Sequence, residues 1–185
     1  MLNPILVIIA FNLAVFLAVR ISPELLVHLS LPANFVDRPW AIVTSMFVHF
    51  EFFHLFANMI TLYFFGTYLN RLIGSRRFLL VYFGGGILGS IFFILLAPPS
   101  VAIGASGAVF ALGGAMAVMV PRLRVFIFPI PVPLPLWIAV IGIFSILTLL
   151  AVLDLMPIAW EAHLGGLLFG LGAGYLLKKR RRYYY

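Results

Sequence analysis

The sequence predicts an all-α fold: a polytopic bundle of six transmembrane helices that forms a single integral membrane domain over residues 1–185. Three observations carry this prediction. Hydrophobic residues make up 64% of the chain and charged residues only 9%, whereas a soluble domain carries about 25% charged residues. The mean hydropathy is +1.19. Apolar stretches of roughly 18 residues or more also recur, and each is long enough to cross the hydrocarbon core of a bilayer as a helix.

Polar, proline and charged residues divide these apolar stretches into six predicted spans. The spans cover residues 3–20, 52–71, 77–97, 102–120, 134–153 and 159–177. The first stretch lacks a basic start and is followed by Arg20 instead of a small-residue cleavage site, which favours a helix over a signal peptide. The pair Pro98 and Pro99 precedes the fourth span, and a proline-rich run at 121–135 precedes the fifth, because proline interrupts helices.

The longest connection, residues 21–51, is predicted to be an outer loop that lies in the membrane interface. It contains large apolar side chains such as Leu29 and Trp40, so it is too hydrophobic for a solvated loop and too interrupted for a span. Such a composition is typical of segments that lie along the interface. We interpret His28 and His49 as interfacial residues of this loop.

Charge placement predicts how the chain is oriented. If the N-terminus is inside, ten of the twelve basic residues lie on inner segments, including a basic tail at 178–185, and all five acidic residues lie outside. This satisfies the positive-inside rule. We therefore expect cytoplasmic termini and residence in the plasma (inner) membrane of a prokaryote. Topology and contact with anionic lipid explain the net charge of +7, so the lipid bilayer is an expected partner and nucleic acid is not. Tyr183–Tyr185 receive no predicted role.

Among the polar side chains at membrane depth, Ser106, His163 and the pair His54 and Asn58 are the candidates for function. Polar groups in such positions are costly and raise a functional hypothesis. In the predicted topology, the serine and the two histidines lie two to four residues inside the outer boundary of the fourth, sixth and second spans. At about 1.5 Å per residue this is a common depth of about 3–6 Å. The sequence therefore predicts one polar cluster that opens to the outer side.

Small residues predict which helix faces meet. Helical spacing aligns a face on each helix: Ser106, Phe110, Gly113 and Ala117 on the fourth, and His163, Gly166, Gly170 and Gly174 on the sixth. Small residues let transmembrane helices approach closely. We expect a seam that brings Ser106 to His163, is continued inwards by Gly113, and is flanked by Gly104 and Gly107, which clear room for backbone and substrate.

A serine hydroxyl next to an imidazole can act as a nucleophile with the histidine as its base. We expect His54, Asn58 and the Ser106 backbone N–H to form an oxyanion hole, and Phe110 to stack on the histidine ring. No acidic residue is suitably placed to orient His163, since Glu161 lies on a different side of its helix. The prediction is therefore a dyad.

Each polar residue alone also has a simpler interpretation. A serine in a transmembrane helix usually bonds a carbonyl of its own helix, and a lone histidine or asparagine usually packs or joins helices. A metal site is weaker still, because His49 and His54 are five residues apart and no carboxylate accompanies them. Gly84, Gly86 and Gly89 match a dinucleotide-binding pattern but lie inside an apolar span, which favours close helix packing. We predict neither a metal nor a cofactor.

Three motifs on the second, fourth and sixth spans resemble those of the rhomboid intramembrane serine proteases in their minimal six-helix form. The stretch GASG fits G-x-S-G, with Ser106 as the nucleophile. The stretch AHLGGLLFG fits A-H-x-x-G-x-x-x-G, with His163 as the base and Gly166 and Gly170 as packing glycines. The stretch HLFAN fits H-x-x-x-N, whose histidine and asparagine contribute to the oxyanion hole in that family. The resemblance covers nearly the whole chain.

The chain departs from the family pattern at two positions. Trp40 is followed by Ala41 where the family often has arginine, and Phe110 stands where tyrosine is common. The resemblance implies cleavage of single-pass transmembrane proteins near the outer boundary, with helix-breaking residues near the cut and entry between the second and fifth helices. It predicts no particular oligomeric state. The alternatives are a non-proteolytic rhomboid-like protein that binds or chaperones membrane helices, and a small transporter.

Overall fold

A computed structural model describes residues 2–127 and 131–181, with side chains described as far as residue 178. The helices are α1 (Pro4–Ile21), α2 (Glu24–Leu29), α3 (Ala41–Thr44), α4 (Phe52–Thr61), α5 (Thr67–Ile73), α6 (Ser75–Leu96), α7 (Ser106–Met119), α8 (Leu136–Val152) and α9 (Trp160–Arg181). Two antiparallel pairs of two-residue strands join them: β1 (Leu31–Pro32) with β2 (Val101–Ala102), and β3 (Arg124–Val125) with β4 (Leu134–Pro135). The predicted all-α bundle is confirmed.

Six helical segments follow the order of the six predicted spans. Three of them are long and apolar enough to cross a membrane by length and composition: α1, the continuous helical segment 52–73, and α6. Two shorter apolar helices follow, α7 with 14 residues and α8 with 17. The last segment, α9, has 22 residues.

The second segment contains a π-helical stretch, Leu62–Gly66, between α4 and α5. Gly66 lies at a crowded point, since a Cβ atom there would come within 3.3 Å of the side chains of Leu62, Phe78 and Ile5. The middle of this segment is therefore held against α1 and α6. Its N-terminal part, α4, carries His54 and Asn58.

The fourth span starts later than the hydropathy pattern predicts. The pattern predicts a helix over residues 102–120, whereas α7 begins at Ser106. Val101 and Ala102 instead pair with β1, and Gly104 has a φ of 111°, a conformation that no right-handed helix contains and that glycine adopts without strain. Ser106 is consequently the first residue of its helix, and does not lie two to four residues inside it.

The sixth span extends further than predicted. The sequence predicts its end at residue 177, followed by the tail 178–185, but α9 continues to Arg181. The Lys178 Nζ donates a hydrogen bond of 2.8 Å to the carbonyl of Val118 in the last turn of α7, where carbonyls lack partners within their own helix. The start of the predicted tail therefore belongs to the bundle. Tyr183–Tyr185 lie outside the described residues.

Glycines let α9 lie directly on the backbone of α7. Three of them face carbonyl oxygens of that helix: Gly166 faces Gly107, Gly170 faces Ala111, and Gly174 faces Ala115. A methyl group at any of the three would overlap the carbonyl it faces. On α6, a Cβ atom at Gly89 would lie 2.6 Å from the carbonyl oxygen of Ala162. The predicted seam exists. Gly84 and Gly89 of α6 both face α9, whereas Gly86 faces the Met46 side chain of the outer loop.

The prediction that Gly113 continues this seam is wrong. A Cβ atom there would meet Val140 of α8 at 3.3 Å, whereas one at Gly114 would lie 2.8 Å from the carbonyl oxygen of Leu167 of α9. The row of α7 that meets α9 therefore runs through Gly107 and Gly114, one position after the predicted row. Both rows carry small residues, so spacing alone does not distinguish them.

The outer loop is held by side chains that donate to the end of α2. Three donors reach its last carbonyl oxygens: Arg38 to Val27, Trp40 Nε1 to His28 at 3.1 Å, and Thr44 Oγ1 to Leu29 at 2.9 Å. Carbonyls at a helix end lack intrahelical partners, so these bonds cap α2. Ser90 of α6 adds a hydrogen bond of 2.9 Å from its Oγ to the carbonyl of Ile42. The loop is therefore anchored although Ala41 replaces the arginine common after Trp40.

Candidate active site

The seam brings the predicted serine and histidine together. The Nε2 of His163 lies 2.8 Å from the Oγ of Ser106, within hydrogen-bonding distance. His163 lies one turn into α9 and its side chain is buried, while Ser106 at the start of α7 is half-buried. This pair has the geometry that a nucleophile and its general base require.

The ring of His163 is oriented by stacking and not by an acid. Its centroid lies 4.7 Å from that of Phe110, with 34° between the ring planes. Its second nitrogen, Nδ1, has no hydrogen-bond partner among the described residues. Glu161 is buried two positions earlier in α9 but does not reach it. The arrangement is thus a Ser–His pair held between α7, α9 and the Phe110 ring.

The turn before Ser106 places the Ser106 N–H at the open start of α7. Gly104 donates its N–H to the carbonyl of Ser45 at 2.9 Å, which ties this turn to the outer loop. Ser106 follows as the first residue of α7, and the first N–H groups of a helix have no acceptor within it. The helix dipole further favours negative charge at this end. The Ser106 N–H is therefore suited to stabilise an oxyanion.

His54 and Asn58 lie on one face of α4 near this turn. A Cβ atom at Gly104 would come within 2.6 Å of the His54 Cε1, so only glycine lets the turn approach this ring. Asn58 is buried and donates one Nδ2 hydrogen to the carbonyl of His54 at 2.9 Å. An amide nitrogen carries two hydrogens, which leaves a second donor for a ligand.

His49 is the residue of this site that the sequence analysis missed. Its interpretation as an interfacial residue is wrong, because its side chain is 0% exposed. Its Nε2 accepts the N–H of Ala105 at 3.3 Å, and its ring lies 4.9 Å from that of His54. Burial, together with the nearby His54, lowers the pKa of His49 to about 3. Its partner Ala105 is 56 positions away, so no local spacing signals the contact.

The other predicted support residues lie around the pair. Gly107 and Gly166 meet at the seam directly beside Ser106, and Gly170 meets it one turn deeper. A small cavity adjoins Ser106, with Ser45, Ser90 and Ala162 among its lining residues. His163, His54 and Asn58 are not among its lining residues, so this cavity lies beside the nucleophile turn on the side away from the proposed oxyanion donors.

Comparison with known proteins places the chain among rhomboids. A family model described as "Rhomboid domain" matches residues 36–180. The chain is 36% identical over 152 residues to the putative rhomboid protease YdcA of Bacillus subtilis, covering 78% of this chain and 71% of that protein. It is 30% identical over 158 residues to rhomboid protein 1, mitochondrial, of Saccharomyces cerevisiae, covering 82% of this chain but only 46% of the yeast protein.

A further relative is named as inactive. The chain is 40% identical over 77 residues to the inactive RHOMBOID-like protein 8 of Arabidopsis thaliana, covering 42% of this chain and 22% of that protein. Similarity alone therefore does not separate proteases from proteins without activity. The distinction between the two depends on the residues of the site.

Proposed function

This chain belongs to the rhomboid family, and we propose that it is an intramembrane serine endopeptidase. The observation that carries the proposal is the 2.8 Å separation between the Ser106 Oγ and the His163 Nε2. A relative without activity needs no such pair. Here it lies at the start of α7, beside the Ser106 N–H and the side chains of His54 and Asn58, so a nucleophile, a base and candidate oxyanion donors occur together.

In the proposed reaction, the Ser106 Oγ attacks the carbonyl carbon of a peptide bond while the His163 Nε2 takes the hydroxyl proton. A C–O bond forms, and the carbonyl oxygen becomes an oxyanion. When the tetrahedral intermediate collapses, the C–N bond breaks and His163 gives its proton to the leaving amine. The products of this half-reaction are an acyl-enzyme on Ser106 and a free amino terminus.

Three donors are proposed to hold the oxyanion: the Ser106 N–H, the Asn58 amide and the His54 ring. Preplaced donors of this kind stabilise charge that develops only in the transition state. The half-buried site strengthens them, because electrostatic interactions are larger where water is scarce.

Water completes the reaction. His163, again neutral, accepts a proton from a water molecule whose oxygen attacks the acyl carbon, and the Ser106 Oγ leaves with that proton. The peptide product then carries a new carboxylate. No metal or cofactor is needed for any of these steps.

We propose that the substrates are single-pass transmembrane proteins cut near the outer membrane face, as the family resemblance implies. The supporting observation is that Ser106, His54 and His163 all lie at the same end of their helices, the first turn in each. Charge placement favours cytoplasmic termini and an outer active site. We further propose the inner membrane of a prokaryote as the location, although two relatives bear mitochondrial names.

Purified protein in liposomes with a model single-pass substrate tests the proposal. We expect the wild type to cleave it, Ser106→Ala and His163→Ala to lose all activity, and a fluorophosphonate to label Ser106 only while His163 is present. Ser100→Ala is the matched control, because its exposed hydroxyl bonds only the nearby Pro98 carbonyl. Undiminished cleavage by Ser106→Ala would exclude this mechanism, and a wild type that binds the substrate without cutting it would favour the helix-binding alternative.

A further inference from the structure

We propose that His49 is a positioning residue that holds the turn before Ser106 against the ring of His54. This inference rests on the proposed function and deepens it, because it assigns one side chain to the alignment of nucleophile and oxyanion donors. His49 lies in the outer loop, three residues before α4 begins. It makes one contact to the turn before Ser106 and one to His54 of α4.

The first contact is to the nucleophile turn. The Nε2 of His49 accepts the N–H of Ala105 at 3.3 Å. A neutral imidazole has one donor and one acceptor nitrogen, so this bond places the ring proton on Nδ1. Burial, which lowers the pKa of His49 to about 3, keeps the ring neutral and the acceptor available.

A second hydrogen bond makes the turn rigid. Gly104 donates to the Ser45 carbonyl at 2.9 Å, immediately before Ala105 donates to His49. Residues 45–49 thus bind both N–H groups that precede Ser106. The Ser106 N–H is the first one in this turn left for a substrate, and its direction depends on the two bonds before it.

The second contact of His49 is between its ring and the ring of His54 on α4. The His49 and His54 rings lie edge to face, with centroids 4.9 Å apart and 65° between planes. His54 is in turn confined on the side of Gly104, where no Cβ atom would fit. His49 therefore fixes the spacing between Ser106 and the proposed oxyanion donor on α4.

Two substitutions separate the hydrogen bond from the packing of the ring. His49→Phe keeps a ring against His54 but removes the acceptor for Ala105. His49→Gln keeps a polar atom that can accept this N–H. We expect His49→Phe to lower kcat by about 10- to 100-fold, the size of effect expected from small misalignment, with KM within about twofold of wild type. His49→Gln should recover much of that loss.

The measurements are kcat and KM for the model substrate, the rate of fluorophosphonate labelling of Ser106, and the thermal unfolding temperature in detergent. Slower labelling together with lower kcat in His49→Phe, and partial recovery of both in His49→Gln, supports the proposal. Wild-type kcat in His49→Phe overturns it. So does an equal loss in both variants that follows a lowered unfolding temperature. Absence of activity in the wild type would instead refute the proposed function.

Discussion

The helix α7 contacts α9 and α8, two of its neighbours, in contrasting ways. Against α9, glycines bring backbone onto backbone, so that a single methyl group at Gly166 or Gly170 has no room. Against α8, contact is made by side chains alone: Leu136, Ala139 and Val140 are buried, the Phe144 ring lies 5.9 Å edge to face from Phe110, and no residue from 141 to 152 is buried. Even Gly142 has no atom within 4 Å of where its Cβ would be.

This difference separates a rigid side of the site from a loose one. The close contact holds Ser106 and His163 at a fixed distance, because neither helix backbone can shift without a clash. The C-terminal half of α8 has no comparable restraint among the described residues. The site is therefore held firmly towards α9 and loosely towards α8.

The largest expected effect comes from adding one methyl group to the rigid side. Gly166→Ala would push α9 away from the Gly107 carbonyl and displace Ser106 next to it, so we expect kcat/KM to fall by more than about 100-fold. Gly172→Ala on the same helix is the matched control, since no atom lies within 4 Å of its Cβ position. It should stay active and gain slightly in stability, because alanine favours a helix over glycine by about 1 kcal/mol.

Cleavage rates and thermal unfolding of the two variants in detergent measure this contrast. If Gly166→Ala cleaves as fast as Gly172→Ala, the seam does not control the alignment of the pair. A variant that keeps its unfolding temperature but loses activity would sharpen the comparison, because it would separate alignment from folding.

A smaller effect is expected on the side of the site formed by α4. Asn58→Ala should slow cleavage by about 100-fold without abolishing it, since loss of one oxyanion donor costs about 10²–10³-fold in rate and two donors remain. Thr61→Ala is the control: its hydroxyl also bonds a carbonyl one turn back, Ala57, at 2.7 Å, but Thr61 is only half-buried, whereas Asn58 is buried. Single-turnover rates measure the effect, and unchanged turnover in Asn58→Ala would remove that residue from the oxyanion hole.

The smallest effect is expected on the loose side. Leu149→Ala in α8 should change stability by less than about 0.5 kcal/mol, as expected for an exposed position. Leu112→Ala in α7 should cost about 2–5 kcal/mol, because this side chain is 0% exposed. Unfolding in detergent measures both. Equal losses would mean that the C-terminal half of α8 is packed as firmly as α7.

Most of the architecture could be predicted from the sequence because its signals are local. Apolar length indicates the spans, and helical spacing of small residues indicates that the fourth and sixth helices meet. The pairing of Ser106 with His163 followed from these two signals. Stacking of Phe110 on the histidine ring followed from its place one turn after the serine.

The missed features depend on contacts between distant segments. The start of α7 at Ser106 depends on the pairing of β2 with β1, about 70 positions away, which overrides the apolar character of residues 102–105. The choice of Gly114 over Gly113 for the seam depends on how α7 is rotated against α9. Hydropathy and spacing contain neither piece of information.

The sequence by itself determined which helices are long and apolar enough to cross the membrane and which of them approach closely. Both depend on properties of each segment alone: the length of its apolar stretch and the glycines on its face. Only the tertiary structure decided how the site is held. It buried His49 beside His54 and joined it to the turn before Ser106. A hydrogen bond between residues 49 and 105 exists only once the outer loop has folded over the helix bundle.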